Sequence, residues 1–229
     1  VGVRVSEARQ MDETVGVAGS HKARHLLGIL LHLRALEATG ARSGRPPLAI
    51  ASCGNAALAA ATLACAADWP IDVFVPTWMD DATGEELASL AARIHRCARR
   101  DGDPPGDPAM LRFREAVEAG AVPFTVQGPE NALCLDSGRT IGWEAVEQLR
   151  EHDGRAFDAA FVQVGGGAFV SCIGAVMAER ARSATRPDIV RIPSAAHWDW
   201  ARGPMSAPSA ISCFRRRSWA APSTMTGTP

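Results

Sequence analysis

The sequence predicts an α/β protein built on open, largely parallel, twisted sheets with helices on both faces. Three observations predict it. Helix-like and strand-like segments alternate from residue 22 to residue 192. The strand-like runs, such as PLAIA at 47–51 and IDVFVP at 71–76, are nearly continuous in apolar character, as strands covered on both faces are. The connections are mostly short, and no internal repeat breaks the alternation.

Each element follows in order. Residues 22–39 place Leu26, Leu30, Leu33 and Leu36 at helical spacing, and Gly40 supplies a stop. The strand 47–51 runs into SCGN and an alanine-rich helix over 55–67. Strand 71–76 is closed by its proline, a helix spans 82–92, and RIHRC at 93–97 is the next strand. RRDGDPPGDP at 99–108 is a loop, with three prolines and two glycines. A helix at 109–119 and the strand VPFTV at 122–126 follow, then a second loop over 127–137. A helix over 139–151, the strand 159–164, a glycine run, a helix to about residue 182 and the strand 189–192 complete the pattern. Beyond Ile192 no period of 2 or 3.6 persists, so 194–229 is expected to be an irregular tail.

Composition narrows the function classes. The formal net charge is −1, so no basic field points to nucleic acid. No run of about 18 apolar residues points to a membrane span. VGVRVSEARQMDE carries no apolar stretch of the secretory kind. The cysteines at 53, 65, 97, 134, 172 and 213 lack C-x-x-C spacing and sit in apolar runs, as reduced thiols do. A cytoplasmic location is the expectation. His21 and His25 stand four apart without a third ligand, so no metal site is expected.

Chemistry concentrates at three places. Lys22 is the single lysine among 24 basic residues. An amine can lose its proton and form a Schiff base with an aldehyde, which a guanidinium cannot; the plain alternative is a snorkelling surface lysine. Ser52-Cys53-Gly54-Asn55 links a strand to a helix, where ligands of open sheets collect, or where Ser and Asn simply cap. Gly165-Gly166-Gly167-Ala168 links the 159–164 strand to its helix and presents successive amides, a phosphate cradle or a purely structural turn. Val170 occupies the last glycine position of G-x-G-x-x-G, which argues against a dinucleotide site. GVAGSHK lacks the G-K-[ST] ending of a phosphate loop. A lysine, a polar turn and a phosphate cradle together point to a phosphorylated aldehyde, pyridoxal phosphate.

Four segments then carry a resemblance. GSHKAR, SCGNAALAAA, DSGRTIGWEAVEQL and VQVGGGAFVSCIG, in that order, resemble the tryptophan-synthase-β-like, fold-type II pyridoxal-phosphate enzymes, with wording nearest to threonine synthases and threonine dehydratases. The resemblance covers residues 10–192 and implies roles. Lys22 would bind the cofactor covalently and move the substrate's α-proton. Asn55 would bond the cofactor's ring hydroxyl. Ser52 and the backbone from Cys53 through Gly54 and Asn55 to Ala56 would receive the substrate carboxylate. Gly165, Gly166, Gly167 and Ala168 would bind the phosphate, with Phe169 just inside the helix. It implies an amino-acid lyase or synthase, with elimination or replacement at the β- or γ-carbon, and dimers in relatives make a homodimer an expectation.

The resemblance also implies an incomplete core over 1–193, with 46–126 as a smaller subdomain. Family members carry more chain before the lysine and after the 189–192 strand, including the residue that contacts the pyridine nitrogen. Two other readings stay open: an inactive remnant that retains cofactor binding, and a Rossmann-type nucleotide domain.

Overall fold

A computed structural model describes residues 10–153, 159–183 and 210–215 of the chain. Six helices are described: α1 Lys22–Ala38, α2 Asn55–Ala66, α3 Asp81–Ser89, α4 Pro108–Glu118, α5 Leu133–Asp153 and α6 Ala168–Ser183. The strands are β1 Leu48–Ala51, β2 Ile71–Pro76, β3 Arg93–Cys97, β4 Val122–Pro123, β5 Ala159–Val164 and β6 Ala210–Arg215. A 3-10 turn, Val17–Gly19, precedes α1.

The first four strands form one parallel sheet in the order β3-β2-β1-β4. Its two faces differ in what covers them. Leu48, Ile50, Ile71, Val73 and Val75 pack with the leucine stripe of α1, with α2 and with Leu87 of α3. Ala49, Phe74 and Cys97 pack on the other side against Ala109 and Phe113 of α4. Helix α2 lies close to the sheet because its buried face is alanine throughout: Ala56, Ala57, Ala59, Ala60, Ala61 and Ala64. Edge strand β3 is dressed with charge, since Arg93 grips Asp72 of β2 through two bonds of 2.8 and 2.6 Å and His95 meets the same carboxylate at 2.8 Å.

Local chemistry sets the boundaries. Asp80 accepts from the Thr83 amide at 2.8 Å, and Asp107 from the Ala109 amide at 2.9 Å, so both carboxylates cap helix starts. Helix α3 ends at Ser89 rather than residue 92, because Ala91 adopts a φ of 58° and the Ala92 amide returns to Leu87 O. Strand β4 keeps two residues of the five expected. Pro123 has no amide to donate, and after one more bond, Phe124 N–H to Ala49 O, the chain leaves the sheet.

Two departures lie further along. Residues 133–137 are helical, not loop, so α5 begins ahead of its expected start at 139. The Leu133 amide is held by Asn131 Oδ1 at 3.1 Å, and the residues that look loop-like, Ser137 and Gly138, are small because neighbouring helices press on them. A Cβ on Gly138 would lie 2.2 Å from His25, and one on Gly142 would lie 3.0 Å from Val176. Within the tail expected to be irregular, β6 pairs antiparallel with β5; six residues are too few to establish a period in the sequence. The strand expected at 189–192 lies outside the described residues. The inner face of β5, Val162 and Val164, packs on Ile141 of α5 and Val170 and Ile173 of α6. Among the described residues no helix is long and apolar enough to cross a membrane.

Candidate active site

The segment before Lys22 is folded to aim it. Glu13 O receives the Gly16 amide and Gly16 O receives the Gly19 amide. Ala18 and Gly19 both sit at positive φ, 55° and 63°, so the chain reverses sharply just ahead of α1. Arg24 pins this turn: it holds Glu13 by paired contacts of 2.9 Å and Glu144 of α5 at 2.6 Å. Lys22 opens α1, half-buried, and burial lowers the pKa of its amine, favouring the neutral form. Among the described residues no carboxylate pairs with it.

The glycine turn meets this segment directly. The His21 ring stacks on Phe169 with centroids 4.1 Å apart and planes 16° from parallel. Phe169 is the second residue of α6, immediately after Gly165–Ala168. His25 closes the group edge-on, 5.4 Å from His21 and 6.4 Å from Phe169. Burial, then the fields of Lys22 and His25, pushes the His21 pKa down to about 4, and burial lowers that of His25 as well. These rings are therefore neutral beside the lysine.

The turn itself is open. A Cβ on Gly165 or Gly166 would meet nothing within 4 Å, while Gly167 adopts a φ of 89° that favours glycine. The first helical bond runs from the Ser171 amide to Gly167 O at 3.0 Å, leaving the amides of Ala168, Phe169 and Val170 at the positive end of α6.

The other turn opens α2. Ser52 continues the sheet by donating its amide to Phe74 O at 3.2 Å, Cys53 packs partly buried against the main core, as Ala18 and Ala23 do, and Asn55 starts α2 with its side chain exposed. It reaches the lysine through the 17–19 turn and α1; among the described residues no hydrogen bond links it to Lys22 or to the glycine turn. A cleft of about 570 Å³ between β2, β3 and α4, lined by Phe74, His95, Cys97 and Arg112, includes none of the expected site residues.

The model of the pyridoxal-phosphate dependent enzymes matches residues 11–220. The chain belongs to that family. Solved structures agree in fold. An aspartate racemase dependent on pyridoxal 5'-phosphate is 22% identical, with a TM-score of 0.59, covering 75% of this chain and 47% of its own. Diaminopropionate ammonia lyase of Escherichia coli is 17% identical at 0.58, covering 74% and 50%. Threonine deaminase isoform 2 of Solanum lycopersicum is 17% identical at 0.56, covering 75% and 45%. The chain thus spans about half the length of the solved proteins it matches. No curated protein matches it. The family match extends through β6, past the residue-192 limit of the sequence resemblance.

Family membership makes pyridoxal 5'-phosphate the cofactor, and the residues present fit it. The two stacked rings are chain neighbours of the two features a phosphorylated aldehyde needs: His21 adjoins Lys22, whose amine has its pKa lowered by burial, and Phe169 follows the glycine turn, where a Cβ would meet open space. The sequence singled out Lys22 and the glycine turn by residue type but did not show the stack, Arg24 or His25's part in it. The available signals were the H-x-x-x-H spacing at 21–25 and G-x-x-x-G at 138–142, a mark of close helix packing.

Proposed function

We propose that this chain carries the cofactor site of a pyridoxal-phosphate-dependent lyase or synthase acting on an amino acid, of the threonine synthase or serine/threonine dehydratase kind. The observation that carries the reading is the His21–Phe169 stack, which sets the only lysine beside the open glycine turn. Pyridoxal phosphate, when bound, supplies the electron sink for a carbanion at the substrate's Cα. Lys22 Nζ would hold the cofactor and would take and return the α-proton, a task its lowered pKa suits. The amides of Gly165, Gly166, Gly167 and Ala168 hold the phosphate, aided by the positive end of α6. Asn55 orients the ring hydroxyl, and Ser52 with the Cys53–Ala56 backbone receives the substrate carboxylate. The aspartate racemase, diaminopropionate ammonia lyase and threonine deaminase among the similar structures support the general class, chemistry on an amino acid.

The test is borohydride trapping of pyridoxal phosphate on the purified chain, with mapping of the labelled peptide, in wild type, Lys22→Arg and Lys22→Ala. Label on the Lys22 peptide, absent from both variants, supports the site. No label on a folded wild type overturns it. Label without turnover of serine, threonine or O-phosphohomoserine marks the inactive reading.

A further inference from the structure

His25 is the one polar residue on the buried stripe of α1, whose other members are Leu26, Ile29, Leu30 and Leu33. It is 1% exposed. A leucine there would bury no polar atom; the imidazole buries two ring nitrogens. Nδ1 lies 2.8 Å from Cys134 O, and because a carbonyl only accepts, Nδ1 carries the proton. Nε2 is left as a bare lone pair, buried and without a partner among the described residues. The nearby thiol does not supply one: Cys172 Sγ is 4.0 Å from Nδ1 and donates to Leu135 O at 3.0 Å.

The slot is cut to the ring. A Cβ at Gly138 would fall 2.2 Å from Cε1 and 2.4 Å from Nδ1, so the imidazole fits only against a glycine. An orphan buried nitrogen lowers stability, and a site shaped around it calls for a use. The rings that face His25 edge-on are those of His21, beside Lys22, and Phe169, beside the glycine turn. With centroids 5.4 Å apart, a half-turn of the His21 ring, which keeps its plane on Phe169 and leaves the His25 bond to Cys134 O untouched, brings a His21 nitrogen within hydrogen-bonding reach of His25.

We propose that His25 is a positioning residue of the lysine site: its Nε2 accepts the His21 ring N–H, holding His21 flat on Phe169 and so fixing the distance of Lys22 from the glycine turn. The consequence for Lys22 rests on the function proposed above; the His25–His21 bond does not. Burial keeps both rings neutral, which this donor–acceptor pairing requires.

Two measurements test it. Long-range ¹⁵N–¹H spectra of the ligand-free full chain read the tautomers near neutral pH. The expected result is His25 protonated on Nδ1, with an Nε2 shift moved off the free lone-pair position. A proton on Nε2, or an Nε2 at the free position, overturns the bond. Pyridoxal-phosphate titration then compares wild type with His25→Phe, which keeps a flat ring but no nitrogen, and His25→Gln, which restores an acceptor. Binding should weaken about tenfold in the first and recover to within about threefold in the second, at matched melting temperature. Equal affinity in all three overturns the positioning role. A wild type that binds no cofactor sinks the proposed function, and the ligand-free spectra still decide the bond. Should His25→Phe fail to fold, the spectra and the glutamine variant decide.

Discussion

His21 and Phe169 lie 148 positions apart in the chain and face each other across 4.1 Å. This contact joins the start of α1 to the start of α6, and with them the lysine to the glycine turn. Phe169 packs partly buried against the β5–α6 cluster as well. Phe169→Ala should therefore cost about 1.5–3 kcal/mol by urea denaturation, less than a fully buried ring would. Cofactor trapping on Lys22 should fall in parallel, whereas Phe169→Leu should recover stability more than trapping.

Stability should also fall in mild acid. The His21 imidazole takes a proton near pH 6.5 in the unfolded chain but only at about 4 in the folded one. Above pH 6.5 both states are neutral and the stability is whole; it is lost as pH falls from 6.5 toward 4, because the unfolded state binds the proton first. His25, lowered by burial, adds in the same direction. The loss from His21 between about pH 7.5 and 5 should be about 1–2 kcal/mol, allowing for solvent at the half-buried ring. His21→Phe keeps a flat ring and should flatten that slope. An unchanged slope would assign the acid sensitivity elsewhere.

Gly138→Ala separates local propensity from packing. Helix propensity alone predicts a gain of about 1 kcal/mol. The clash with His25 at 2.2 Å and Cys172 Sγ at 2.6 Å predicts instead a loss of about 2–3 kcal/mol or more. Gly142→Ala, facing Val176 at 3.0 Å, should lose less. Chemical denaturation of both variants ranks them.

The two aspartate caps should behave alike despite different settings. Asp80→Ala and Asp107→Ala each remove one amide partner at a helix start, and each should cost about 1 kcal/mol. Asparagine at either position should retain most of it.

What the sequence revealed depended on how local the signal was. Lys22 and Gly165–Gly167 stand out by residue type alone, and β1, β2 and β5 by continuous apolar character. The parallel sheet follows from that character. The beginning of α5 was hidden because Ser137 and Gly138, which look like loop residues, are small to admit α1 and α6. His21 and His25 suggested a failed metal pair by spacing; only the fold shows one stacked on a ring from α6 and the other sealed beneath it. β4 looked longer because Phe124 and Val126 are apolar, yet Pro123 removes a ladder donor.

The parallel sheet's margins carry a further consequence. At one side the open strand is RIHRC, whose Arg93 and His95 are bound across to Asp72 while Ile94 turns inward. At the other, β4 is two residues long and ends in a proline. A second chain trying to extend the sheet would meet fixed charge at the first margin and an imide nitrogen at the second. Among the described residues, the groups that hold these strands in register thus also act as gatekeepers against fibril-like stacking.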